Sequence, residues 1–313
     1  MATVVFIHGL SNKPEHEYLL NLWKRKLGHE GGVSLDDRGV ESSMVYWANV
    51  LYPSADTDLA AYESAASGDE VLVEGHEAVT LAPDKLPPDE AAFVARLSRD
   101  VGITADDLDP ATLSKTERDQ LRYERVPLPA WLRNRLMAKL VRDAHLYFFN
   151  KEFTPRASET FRVRDELRKR FMDDLHAVKD DCHPLVVVSH SMGTIIAYDC
   201  LMHEDDCPPV DGLITIGSPL GLDEVQDFFP KWKREDGFPS DKLRGPWINI
   251  FDRLDLVAGA DPRIANDYQK KGSPVIEDLE EPNWGEWRHS ISKYLQGKEL
   301  RARIAKLLKV EWP

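Results

Sequence analysis

Three valines run without a break into S-H-S-M-G-T, spanning Val186 to Thr194. A continuous β-branched run reads as a strand buried on both faces. The residues from Thr194 to Met202 read as a helix, so very few positions remain in which to turn the chain. A strand passing straight into a helix belongs to a parallel sheet with helices packed on it. The turn itself is restrictive. Ser189 and Gly193 are the small residues two places either side of Ser191. Small residues are needed there when the central serine is held at strained dihedrals, because bulk would collide with the neighbouring backbone. Such a turn lifts the serine oxygen above the carboxyl edge of the sheet, at the positive end of the following helix.

The rest of the chain follows the same alternation. Thr3–Ile7, Ser43–Trp47, Leu185–Val188, Leu213–Ile216 and Trp247–Phe251 read as strands. Apolar spacing predicts helices over Glu15–Leu27, Glu159–Val178, Thr194–Met202 and Glu299–Leu308. The fold class is therefore α/β, a mostly parallel sheet covered by helices on both faces, with ligands expected at the strands' carboxyl ends. Residues 54–155 break the pattern. They hold Pro83, Pro87-Pro88, Pro110 and Pro127, with helical stretches near Asp89–Val101, Leu113–Glu124 and Pro129–Phe149. About a hundred residues without a clear strand do not fit a crossover, and an inserted helical cap or lid on a core of residues 1–53 and 156–313 is expected.

Charge narrows the class of partner. The chain carries a net charge of −14, which disfavours nucleic acid. Residues 56–109 hold 14 acidic against 3 basic side chains, whereas residues 115–142 hold 8 basic against 3 acidic. These two stretches are expected to attract each other. The basic amphipathic stretch Pro129–Phe149 is accordingly read as a lid over Ser191, not as a membrane anchor. No run approaches the roughly 18 apolar residues of a membrane span. The start, MATVVFIHG, lacks the features of a signal peptide, and the three cysteines are too few for a disulfide framework. A cytoplasmic protein without stable membrane association is expected.

A serine needs a base, and the base needs an orienting acid. In the strand–turn–helix arrangement the order along the chain is serine, acid, histidine. Only His203 and His289 follow Ser191. His203 lies about 15 Å along the helix that starts beside the serine, too far to serve. That leaves His289. The acid is sought after the strand Trp247–Phe251, where Asp252 and Asp255 both qualify, with Asp261 more remote. Asp255 is preferred because it lies further into the loop, and Asp252 is the alternative. Two oxyanion donors are expected, the backbone N–H of Met192 and that of Leu10. His8 and Gly9 close the first strand and let the backbone approach. Trp47 and Met192 are candidates to line the pocket. Cys182, Cys200, His203 and Cys207 lack the spacing of a zinc site, and no metal is expected.

These segments together resemble the α/β-hydrolase family. FIHGL is similar to its oxyanion loop, SHSMG to its nucleophile elbow, DRLDLV to its acid loop and RHS to its histidine segment. Ser189 stands where the family more commonly has glycine. The resemblance covers residues 1–53 and roughly 156–313, and it implies a sheet lacking the family's two earliest strands. It implies no cofactor and a small acyl compound as substrate, with carboxylic ester cleavage through an acyl-enzyme on Ser191 the leading reading. Amide, peptide or thioester hydrolysis and acyl transfer by the same triad are alternatives. A non-catalytic, partner-binding protein on the same fold is the alternative of another kind.

Overall fold

The computed structural model of the chain describes residues 1–57, 59, 81–102, 130–179, 182–230, 232–258, 261–284 and 287–312. In chain order its main elements begin with β1 (Thr3–Ile7), α1 (His16–Gly28), β2 (Glu41–Val45) and α2 (Ala48–Leu51). Then come α3 (Pro88–Asp100), α4 (Ala130–Phe148), β3 (Glu152–Arg156), β4 (Glu159–Arg162) and α5 (Val163–His176). The second half holds β5 (Leu185–His190), α6 (Met192–His203), β6 (Gly212–Ile216), α7 (Asp223–Gln226) and β7 (Trp247–Phe251). It ends with β8 (Glu277–Glu280), α8 (Ile291–Tyr294) and α9 (Lys298–Leu308).

Six strands form one sheet in the order β2-β1-β5-β6-β7-β8, and every neighbouring pair is parallel. The central strands are apolar throughout because both faces are covered. Val4, Phe6, Val186, Val188, Ile214 and Ile250 pack on one side with Leu19 and Trp23 of α1 and Leu300 and Ile304 of α9. Their alternates Val5, Ile7, Val187 and Leu213 pack on the other with Phe171 of α5 and Ile195 and Ile196 of α6. The α6 helix is buried along almost its whole length, which is why its sequence shows no polar face.

Two departures from the sequence pattern have physical causes. Glu159–Arg162 is not the first turn of a helix. It pairs antiparallel with β3 in a small hairpin, and α5 starts only at Val163. The periodic Phe161 fits a strand there, and Arg170 lies over its ring at 5.8 Å. The second departure is β8, whose sequence Glu-Asp-Leu-Glu carries no apolar run. It is an edge strand, held by its ladder to β7 and by the amide of Asn249, which donates to Asp278 at 2.8 Å. Charged residues are the usual composition of such an edge.

Within residues 54–155, the described helices do not stand apart from the sheet and its covering helices. Phe93, Val94 and Leu97 of α3 and Met137, Leu140, Val141, Ala144 and Tyr147 of α4 join the cluster that holds Ile7, Met192 and Ile195. Tyr147 donates to Asp199 of α6 at 2.6 Å, tying α4 to α6. Glu90, from the acidic stretch, pairs with His145 at 2.6 Å and Lys151 at 3.0 Å. Arg142, from the basic stretch, pairs with its neighbour Asp143. The expected helix over Leu113–Glu124 and most of the basic side chains lie outside the described residues.

Candidate active site

The carboxyl ends of β1, β5, β6 and β7 converge on one edge of the sheet, and Ser191 sits at its centre. It has φ 55° and ψ −130°, between the last residue of β5 and the first of α6. A non-glycine residue in that region costs on the order of 1–3 kcal/mol, a strain the packed strand and helix on either side hold in place. A Cβ on Gly193 would lie 2.7 Å from the carbonyl oxygen of His8 and 2.9 Å from that of Ile7. The hydroxyl of Ser189 donates to the carbonyl of Ile214 at 2.9 Å, so the serine in this place satisfies itself within the sheet.

Gly9 brings the loop after β1 against the serine. A side chain there would place its Cβ 2.5 Å from that of Ser191 and 2.9 Å from Nδ1 of His190. Leu10 follows, half-buried, and Met192 is buried. The loop is braced from two directions. The Nδ1–H of His8 donates to the carbonyl of Gly9 at 2.8 Å. The Trp47 backbone N–H donates to Nε2 of His8, and its indole N–H to the His8 carbonyl, both at 3.0 Å. The two rings stack at 4.7 Å. Burial, reinforced by Lys13, keeps His8 well below the ordinary histidine pKa, so it stays a neutral strut. Trp47 is fully buried and packs into the core as well. Lys13 is buried and donates to the carbonyls of Leu10, Ser11 (3.1 Å) and Asn12 (3.2 Å).

His289 and Asp255 meet. Nδ1 of His289 lies 2.8 Å from each carboxylate oxygen of Asp255, so the proton sits on Nδ1 and leaves Nε2 as an acceptor. Burial opposes the charge on Asp255, but His289, the Val257 N–H and the Tyr294 hydroxyl outweigh it and hold the carboxyl below its usual range. Asp252 does other work. Its oxygens accept from the N–H groups of Leu254 (2.7 Å) and Asn283 (2.5 Å) and from Arg288 (3.3 Å), joining the acid loop to the segment that carries His289. Asp261 stands beside Gly221 and not at this cluster.

Oγ of Ser191 and Nε2 of His289 are both buried, and neither has a hydrogen-bond partner among the described residues. Buried polar atoms without partners are rare. Here the two are the hydroxyl of the strained Ser191 and the ring nitrogen of His289 that faces away from Asp255.

Three further residues shape the site: His190, which lies within SHSMG, and Tyr294 and Gly217, which stand outside the quoted segments. The ring of His190 stacks on that of His289 at 4.5 Å, and its Nε2–H donates to the His289 carbonyl at 3.1 Å. Burial, and then the neighbouring His289, keep it neutral. Tyr294 bonds to the acid loop at two points. Gly217 follows β6 at φ 52°, where a Cβ would lie 2.7 Å from Oδ2 of Asp255 and 3.0 Å from Nδ1 of His289. A glycine closing a strand was the only sequence signal for it. Gly217→Ala should therefore displace the Asp255–His289 pair. Misplacement by about 1 Å costs on the order of 10²-fold in rate, which kcat/KM of the folded variant on an aryl ester would measure. A variant retaining full activity would show that the pair tolerates the added methyl.

The cysteines are all free and buried. Among the described residues no group of three or more His, Cys, Asp or Glu is placed to hold a metal ion. No described helix is long and apolar enough to cross a membrane.

No family model matches the chain, and no curated protein matches it. Solved structures do. Est1E from Butyrivibrio proteoclasticus is 10% identical, with 98% of this chain and 88% of that one covered, at a TM-score of 0.36. Acetyl xylan esterase 1 from Thermoanaerobacterium sp. is also 10% identical, covering 98% and 74%, at 0.34. A YdeN-like hydrolase from Pectobacterium atrosepticum is 13% identical, covering 48% and 71%, at 0.33. The likeness is distant, and the architecture rests on the sheet itself. Six parallel strands carry helices on both faces, and the serine stands on a strained strand-to-helix turn beside the loop that follows the first strand. That is the arrangement of the α/β-hydrolase fold.

Proposed function

We propose that this protein is a serine hydrolase that cleaves carboxylic esters through an acyl-enzyme. Oγ of Ser191 attacks the ester carbonyl while Nε2 of His289 takes its proton. The tetrahedral oxyanion is held by the N–H groups of Leu10 and Met192, and it collapses as His289 protonates the departing alkoxide. Water, deprotonated by His289, then attacks the acyl-serine and restores the hydroxyl. Asp255 orients the ring and stabilises its charged form. The observation that carries this reading is the pair of buried, unpartnered atoms, Ser191 Oγ and His289 Nε2, with Asp255 on the opposite ring nitrogen.

The insert of residues 54–155 is read as a cap over this site. Its support is that it leaves the sheet after β2, on the same edge as Ser191, and that α3 and α4 share a cluster with Met192.

The test of the reading is a fluorophosphonate probe. Ser191 should be labelled stoichiometrically, with the mass increase confined to the peptide that contains it. Folded protein that takes up no label, or takes it elsewhere, would exclude Ser191 as nucleophile. A crystal structure of the adduct with the insert remote from the bound group would remove the cap.

A further inference from the structure

Tyr294 is fully buried, and its hydroxyl stands between two parts of the acid loop. It donates to Oδ2 of Asp255 at 2.9 Å and accepts the backbone N–H of Asp252 at 2.9 Å. Tyr294 is the last residue of α8, which starts two residues after His289. One short helix thus connects the segment carrying the base to the loop carrying the acid. Burial, and then Asp255, raise the phenol well above its ordinary value, so the proton stays on the hydroxyl.

Resting on the serine-hydrolase reading of Ser191, Asp255 and His289, we infer that Tyr294 is a positioning residue: its hydroxyl fixes the rotation of the Asp255 carboxylate and shares its charge with His289. The geometry supplies the reason. Oδ1 of Asp255 is held by the N–H groups of Val257 at 2.9 Å and Ala258 at 3.4 Å. Oδ2 is held by Tyr294, and Gly217 closes that side, where even a Cβ would come within 2.7 Å. His289 Nδ1 sits astride both oxygens. Removing the hydroxyl leaves Oδ2 with His289 alone among the described residues. The carboxylate charge then concentrates on that bond, the imidazolium is favoured, and His289 takes up its proton at a higher pH. The Asp252 N–H also loses its acceptor, which loosens the loop.

Other ionisable groups stand around this region. They are His190 from β5, Lys13 and His8 at the β1 end, Asp252 with its partner Arg288, and Lys293 of α8, which donates to the Trp287 carbonyl. Removing the hydroxyl acts on the acid loop at the two points where it bonds, Oδ2 of Asp255 and the N–H of Asp252.

The experiment compares wild type with Tyr294→Phe. It reads the pH dependence of kcat/KM on an aryl acetate and the NMR titration of the His289 imidazole, with thermal unfolding as the fold check. Hydrogen bonds to charged groups are among the strong ones, and a fraction of this one's effect reaches His289. The kinetic midpoint and the imidazole titration should both rise by about 0.5–1 pH unit. kcat should fall about tenfold with KM within twofold, since orientation and not binding is lost. Placing 3-fluorotyrosine at position 294 strengthens the donor and should move both midpoints the other way. It carries the test if the phenylalanine variant does not fold. Unmoved midpoints in a folded variant would overturn the inference, because a purely structural tyrosine changes the unfolding temperature only. If wild type is labelled at Ser191 and hydrolyses the ester, that result refutes Tyr294 alone. A wild type unlabelled at Ser191 refutes the hydrolase reading, and the imidazole titration still decides the coupling.

Discussion

Ser191→Ala should abolish ester hydrolysis and leave the fold intact. The hydroxyl makes no hydrogen bond among the described residues, so its loss removes nothing that holds the turn. The Cβ that packs against Gly9 is kept, and alanine meets the same strain at φ 55° as serine does. Stability should therefore change by only a few tenths of a kcal/mol, within the range of substitutions that break no contact. Activity is another matter. Loss of the nucleophile from a working triad costs on the order of 10⁶ in kcat. The measurement is turnover of a short-chain aryl ester alongside thermal unfolding. Retention of more than a few per cent of the wild-type rate would mean that another group attacks the carbonyl.

Asp255→Asn should reduce kcat by roughly 10⁴, as the equivalent change does in the serine-protease triad, because the amide favours the wrong ring tautomer of His289. The comparison with Asp252→Asn makes the result specific. The Asp252 carboxylate accepts from Leu254, Asn283 and Arg288. Asparagine keeps one oxygen acceptor and loses the charge facing Arg288. The expected loss is in stability, about 1–3 kcal/mol, with a fall in rate of tenfold or less from a looser loop. The two variants should thus separate by a factor of about a thousand in kcat at similar KM. The reverse order would assign the acid to Asp252 and require the loop to rearrange before reaction.

How much of this could be read before folding depends on the range of the interactions. The Val186–Thr194 segment announced itself because an elbow is a local object. Its strand, small flanking residues and helix lie within a dozen positions, and steric exclusion acts between sequence neighbours. His289 is the proposed base by counting, since only two histidines come after Ser191 and one is carried off along α6. The apolar central strands were legible for the same local reason.

Tertiary structure decided the rest. Whether Asp252 or Asp255 faces His289 does not depend on their sequence environment, since both follow β7 within a few residues. It depends on where α8 brings the Tyr294 hydroxyl and where β8 delivers the Asn283 N–H, contacts made across 31 to 42 positions. Gly217 and His190 gain their importance only because β6 and β5 end beside the acid and histidine loops. β8 is a strand by virtue of its neighbour, with a composition that by itself reads as loop. Local propensity carries steric information over a turn or two. Which distant backbone groups come within 3 Å of a carboxylate is set by the packing of the whole sheet and its helices, and no single segment encodes it.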